Sequence, residues 1–370
     1  MSGEAADVLA ALGRAAAGVV RDAPEADRNG ALTPAMAEVL VELGLYKLWA
    51  PKRFGGFELS VPEGFEVFQA ASRLDGAFGW AATIGTGGGL FAATMLPETA
   101  AEVFSPREAL IAGSGHPNGT ATATGNGYAV EGRWPYASGA HFATWFTANC
   151  VVHSAEGPQT GADGTPVVRA MAIPADRVAV LDTWHTSGMR ATGSHDFRIA
   201  GVQVPHAYTF DVFGEPFASG ALYRYPFQSI AEVSFAGVAL GVTRHAIDAF
   251  DELAATKRAY GFSRPLGETD GGKVRRADAF ATWYAADAGV RRAVEASWAT
   301  VAAAGEMSEE ERQIVSLACR HAARACRQAA SVLYEVAGMS PLFAESTFGR
   351  CWRDLHTVSQ HAMLSPLGVF

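Results

Sequence analysis

The texture of this chain changes twice, and that constrains its fold more than any single motif. Up to residue 108 it reads as helix, from 109 to 212 as strand, and from 213 to 370 as helix again. In the first part Leu9, Leu12 and Ala16 recur at helical spacing. Thr33-Pro34 supplies a cap followed by proline at the first helical position, and Ser60-Val61-Pro62-Glu63 forms a capping box. The middle part alternates Thr, Val and aromatic residues over Thr120–Thr124, Tyr128–Trp134, Thr144–Val152, Val167–Ile173 and Phe197–Val204. Gly125-Asn126-Gly127 marks a hairpin, because Asn and Gly tolerate positive φ, and Ser154–Pro166 is a polar loop. Ala-rich amphipathic stretches then cover 226–258, 270–304 and 308–337, with a shorter helix over Phe348–Met363. Ser308 and Glu311 make another capping box. The expected architecture is α+β: an N-terminal helical domain (1–108), a middle antiparallel β-domain shaped as a sandwich or flattened barrel (109–212), and a C-terminal four-helix bundle (213–370).

Charge and composition exclude several classes. A net charge of -9 without a basic block argues against nucleic acid. The smoothest apolar run, near Val233–Val242, is too short to span a bilayer, which takes about 20 residues. The start MSGEAADVLA has no positive n-region, so a cytoplasmic location is expected. Cys150, Cys319, Cys326 and Cys351 form no CxxC pair and read as buried thiols, and no HExxH or Cys/His ladder suggests a metal. Gly85–Gly89 (GTGGG) follows a helical pattern rather than a strand, so it reads as tight helix packing, not a dinucleotide loop.

Three stretches carry the chemistry. The first is Gly127–Gly139 (GYAVEGRWPYASG), where a strand runs into an aromatic turn with Ser-Gly. The second is Trp184–Asp196 (WHTSGMRATGSHD), and the third is Trp352–His361 (WRDLHTVSQH). In this order and layout they resemble the acyl-CoA dehydrogenase superfamily. More narrowly, they resemble its two-component, reduced-flavin-dependent monooxygenases, such as those acting on 4-hydroxyphenylacetate and dibenzothiophene.

The resemblance implies a site. Trp134, Tyr136, Ala137, Ser138 and Gly139 would lie along the isoalloxazine, with the Ser138 hydroxyl near N5 and C4a. His361 would face the same pocket from the last helix and trade a proton near neutral pH. Ser114 and Arg190 would lie near the flavin, Asn118 near flavin and substrate, and Trp184 would wall the pocket. A dry, aromatic pocket would suppress loss of peroxide from the flavin. Reduced flavin (FMN or FAD) and O2, a separate NAD(P)H:flavin reductase and a homotetramer are implied too.

The dehydrogenase alternative needs a carboxylate base for an acyl thioester. The last helix offers Ser359-Gln360-His361-Ala362-Met363, with no acid, and Glu232 stands one residue out of register, about 100° around a helix. Lys257–Arg264 (KRAYGFSR) only loosely echoes the dehydrogenases' Arg-x-x-Phe-Gly segment, which leaves FMN open beside FAD. A flavin-binding scaffold without turnover is a third reading. Plainer roles stand beside these: Ser138 as a turn residue, His361 as a core histidine, Trp134 and Tyr136 as β-core, and Arg353–Asp354 as a packing ion pair.

Overall fold

The computed structural model describes residues 1–365; the last five positions of the C-terminal part lie outside the described residues. Five helices come first: α1 (Gly3–Asn29), α2 (Pro34–Glu42), α3 (Val61–Leu74), α4 (Gly76–Gly89) and α5 (Pro97–Phe104). Thr33 caps α2, and Ser60 and Glu63 form the reciprocal box that opens α3. The strands follow: β1 (Ile111–Thr124), β2 (Gly127–Ala137), β3 (Trp145–Ser154), β4 (Gly157–Pro158), β5 (Val168–Pro174), β6 (Ala179–Leu181), β7 (His195–Pro205) and β8 (Thr209–Phe210). The chain ends in α6 (Ala221–Arg224), α7 (Phe227–Thr256), α8 (Asp270–Ala304), α9 (Glu309–Ala337) and α10 (Thr347–Val358).

The eight strands make one sheet in the order β6-β7-β2-β1-β3-β5-β8, with β4 beside β3. Thr124 pairs with Gly127, so Gly125-Asn126 is the two-residue hairpin loop that the sequence signalled. The sheet departs from the antiparallel expectation in one pair: β1 and β3 run parallel, Ile111 opposite Trp145. An excursion through β2 and the 138–144 turn returns the chain in the same direction. The sheet also folds over its own core. Phe146 on β3 and Phe197 on β7 belong to strands that are not neighbours, yet their rings lie 5.0 Å apart.

Helices on both sides of the sheet in sequence share one hydrophobic core that joins α3 and α4 to α7. Glycines permit the close approach. A Cβ on Gly85 would stand 2.2 Å from the Tyr46 ring, and one on Gly88 2.5 Å from Ile111. The glycine run in α4 is therefore a packing surface. Helix α7 is long and apolar enough to cross a membrane by length and composition, but 89% of that window is buried inside the protein. It is the central core helix, wrapped by α3, α8, α9 and α10.

Helix α10 stops at Val358, earlier than the periodicity predicts. Ser359 caps it, and the Gln360 and His361 amides donate to the Thr357 and Val358 carbonyls in tightened turns. His361 thus sits in the turn after the last helix, not on the helix itself.

Candidate active site

The β2 strand ends in a distortion that sets up the site. Register with β7 slips between Trp134 and Ala137, and Tyr136 adopts φ 68, a conformation uncommon for a bulky residue. The slip turns the Tyr136 ring outward, 60% exposed, where it meets Trp184 edge-on at 6.2 Å and His116 at 6.1 Å. Strain of this kind persists only where surrounding structure enforces it. Here the following residues do so: the Gly139 amide donates to the Thr192 carbonyl, and Gly139 itself takes φ 76.

Ser138 is buried at this corner. Its Oγ accepts from the Trp80 indole N–H of α4 at 2.9 Å and lies 2.7 Å from the Ser194 hydroxyl. Ser194 in turn lies 2.6 Å from the Thr192 hydroxyl, which donates to the Met189 carbonyl at 2.8 Å. The same carbonyl accepts from the Trp184 indole at 2.9 Å.

His361 reaches the site from the other side. Its ring packs 4.4 Å from Phe235 of α7 and 5.7 Å from Trp80, centroid to centroid. Burial pushes its pKa down to about 4, and the nearby His116 adds to the effect. The imidazole is therefore neutral across the physiological range, and because its Nδ1 accepts from the Met363 amide at 3.3 Å the ring proton lies on Nε2. Ser138 and His361 thus converge on one indole, that of Trp80, with His116 close to His361 and in ring contact with Tyr136, which meets Trp184. Trp80 went unremarked in the sequence because the glycine-rich helix around it reads as packing alone; a lone indole among small residues was the available signal.

Other expected site residues take different places. The Trp134 indole takes the plainer β-core role: it is fully buried in the sheet core, stacked on Phe197 at 5.0 Å and donating to the Asn149 carbonyl. It has no side-chain surface to offer a flavin, and strand alternation, which points Trp134 inward, is the reason. Ala137 is likewise buried and can contribute only backbone. Arg190 is tied into the backbone around it. Its guanidinium donates to the carbonyls of Asp27, Arg28 and Thr186, tying the 189–193 turn to the end of α1. Ser114 accepts from the His116 amide at the start of the β1 bulge, and Asn118 is exposed on that bulge.

The turn carrying Met189 is fixed by a buried charge cluster. The Met189 amide donates to Asp354 of α10 at 2.5 Å. Nearby, Arg350 pairs with Asp75 at 3.3 Å, and Asp75 caps α4 through the amides of Ala77 and Phe78. Arg353 bonds Asp27 and the Ser187 carbonyl, so Arg353 and Asp354 do not pair with each other as the sequence suggested. Burial, with the Asp75 charge beside it, pushes the Asp354 carboxyl up to about 7. The folded state then holds a proton that the unfolded state releases near 3.8, so this contribution to stability is complete at low pH and is lost as pH rises to about 7. Asp354→Asn keeps the acceptor and removes that loss. Its Tm relative to the wild type should climb between pH 4 and 7 and level off above, as thermal melts across that range would show.

No group of three or more His, Cys, Asp or Glu suited to a metal ion occurs among the described residues. The groups gathered here, aromatic rings and hydroxyls, have the chemistry of a ring-binding site rather than of a metal site. Trp80 and Phe235 offer aromatic rings, Ser138 offers a buried oxygen, and the partly exposed His361 offers a neutral ring with an Nε2–H donor.

Residues 233–366 match the model of the acyl-CoA dehydrogenase C-terminal domain. Over 344 residues the chain is 30% identical to indole-3-acetate monooxygenase of Acinetobacter baumannii, covering 92% of this chain and 86% of that protein. The chain belongs to the flavin-dependent monooxygenases of the acyl-CoA dehydrogenase superfamily. Another member, the oxygenase component of FADH2-dependent resorcinol hydroxylase from Rhizobium sp., is 27% identical over 87% of this chain and 82% of its own. Among solved structures of this superfamily, XiaF from Streptomyces sp. in complex with FADH2 and glycerol superposes with a TM-score of 0.88 at 25% identity, over 98% of this chain and 92% of that one. The dehydrogenase alternative is not favoured. As in its monooxygenase relatives, the chemistry here is oxygenation by reduced flavin and O2. The structure also shows what Glu232 does: it is buried on α7, accepts from Ser316 at 2.8 Å and lies 3.7 Å from Arg320 of α9. That ties two bundle helices together.

Proposed function

We propose that this monooxygenase hydroxylates a small aromatic substrate, using reduced flavin delivered by a separate reductase, with Ser138 and His361 as its working side chains. The convergence of these two residues on the Trp80 indole carries the reading. Bound reduced flavin supplies the activation of O2 and the transfer of one oxygen atom. The protein's residues do the rest. Ser138, held at a buried corner, positions the polar edge of the ring, with the backbone of Ala137 and Gly139 beside it. Phe235, Trp80 and Trp184 exclude water, which limits escape of peroxide. His361, neutral at working pH with its Nδ1 accepting from the Met363 amide at 3.3 Å, carries its ring proton on Nε2 and donates from there to a substrate oxygen, which orients the aromatic ring.

Several features support an aromatic substrate. The residues Tyr136, Trp184 and His116 present ring faces and edges, and offset or edge-on contacts with a second ring suit them. The relatives named for indole-3-acetate and resorcinol fit the same chemistry. Those names also support a two-component system, since the resorcinol enzyme is called an oxygenase component. A homotetramer in the cytoplasm fits the family resemblance, and the exposed Tyr260 and Phe262 between α7 and α8 suit burial by a neighbouring subunit.

The test is a turnover screen. With a flavin reductase, NADH, O2 and either FMN or FAD, a panel of indoles, phenols, aromatic acids and thiophenes should yield at least one hydroxylated product above the reductase-only control. If instead the purified protein bleaches its flavin on addition of an acyl-CoA and oxygenates none of the panel, this proposal is wrong.

A further inference from the structure

The hydroxyl chain behind Ser138 has a direction, fixed by its two ends. The Trp80 indole N–H can only donate, and it donates to Ser138 Oγ. The Met189 carbonyl can only accept, and the Thr192 hydroxyl donates to it. Thr192 has then used its one proton, so Ser194 donates to Thr192 across the 2.6 Å contact. Ser194 has used its proton in turn, so Ser138 donates to Ser194 across the 2.7 Å contact. All three hydroxyls are buried, at 6% exposure or less, so no solvent competes for these protons. What remains to Ser138 is one acceptor lone pair.

We infer that Trp80, Ser194 and Thr192 hold Ser138 as a hydrogen-bond acceptor only, and that the site thereby discriminates reduced from oxidised flavin. The chemistry of the ring makes this a sharp choice. Reduced isoalloxazine carries a proton on N5 and can donate to an acceptor there; oxidised isoalloxazine presents a bare N5 lone pair, which meets the Ser138 lone pair with no proton between them. An enzyme that takes reduced flavin from solution gains by refusing the oxidised form, which would otherwise occupy the site unproductively. Ser194 and Thr192 are thus positioning residues that act through Ser138. The inference rests on the proposal that Ser138 faces the flavin, and the experiment separates the two.

The dissociation constants of oxidised FMN and of dithionite-reduced FMN, measured anaerobically, give the reduced-over-oxidised preference; FAD is measured in parallel. Ser194→Ala leaves Ser138 without its acceptor and frees its proton for N5 of the oxidised ring. The preference should shrink about tenfold, chiefly by tighter binding of oxidised flavin. For a two-electron couple, that lowers the midpoint potential of the bound flavin by about 30 mV. Thr192→Val should act in the same direction from one residue further away, because the Ser194 proton must then turn back toward Ser138. Thr192→Ser keeps the hydroxyl and should restore the wild-type preference, which a merely structural role would not demand. Adding Ser138→Ala to Ser194→Ala should abolish the gain. Circular dichroism melts within a few degrees of the wild type confirm that each variant is folded. If Ser138→Ala alters flavin binding while Ser194→Ala and Thr192→Val leave the preference unchanged, the polarity inference is overturned and the site stands. If Ser138→Ala leaves both affinities unchanged, Ser138 does not meet the flavin and both readings are overturned.

Discussion

His361→Ala should cut hydroxylated product per reduced flavin oxidised by about 100-fold or more, the scale on which a positioned acid–base group acts. Reduced flavin should still bind, because the imidazole packs against Phe235 and Trp80 while the proposal gives the holding of the flavin ring to Ser138 and the neighbouring backbone. Oxygen consumption should therefore continue, with the missing product appearing as hydrogen peroxide. Measuring product and peroxide in the same reaction separates this from a general loss of activity. The pH profile gives a second check. His361 titrates at about 4, below the ordinary 6.5, because burial and His116 both disfavour its charged form. Its neutral form is fully present from pH 6 to 8, so wild-type product yield should not fall over that range through this group. It should fall only as pH approaches 4. A yield that halves near pH 6.5 would contradict the assignment.

Gly188→Ala should destabilise the protein by about 1–3 kcal/mol, the range for overpacking a filled interior, and should disable the site as well. A Cβ at this position would stand 2.2 Å from the Arg353 carbonyl oxygen, which belongs to helix backbone and cannot rotate away. The 184–193 turn must then lift off α10. That movement stretches the Met189–Asp354 bond and withdraws the Met189 carbonyl, the terminus shared by the Thr192 hydroxyl and the Trp184 indole. Thermal denaturation should show a fall in Tm of several degrees, and flavin affinity should weaken in parallel. An unchanged Tm with unchanged flavin affinity would show that the turn does not depend on its contact with α10.

Local signals were legible in the sequence wherever one residue type decides local geometry. The Ser60–Glu63 and Ser308–Glu311 boxes, the Thr33-Pro34 start and the Gly125-Asn126 hairpin all form as their chemistry requires. The parallel pairing of β1 with β3 was not legible, since it depends on contacts between segments some 30 residues apart and no turn residue announces it. The early end of α10 was hidden for a related reason. Ser359-Gln360-His361 contains neither glycine nor proline, and the stop is made by tightened hydrogen bonds.

The site divides in the same way. Ser138 and His361 were visible through the stretches around them, and the structure brings both to Trp80. For Trp134 the structure supports the β-core role of its side chain, as strand alternation requires. Arg190 was placed near the flavin by the family resemblance; the partners the structure gives it are the carbonyls of Asp27 and Arg28 on α1, some 160 residues earlier, and of Thr186. The hydroxyl chain from Ser138 to Thr192 lay beyond reach for the same reason: it joins β2 to β7 through a fold that only tertiary structure reveals.

The most direct measurement is a crystal structure of the protein grown anaerobically with reduced flavin. It should show N5 of the isoalloxazine within hydrogen-bond distance of Ser138 Oγ, with the His361 ring facing the cavity over that same isoalloxazine. A flavin bound elsewhere, or one whose N5 meets neither side chain, would contradict the account.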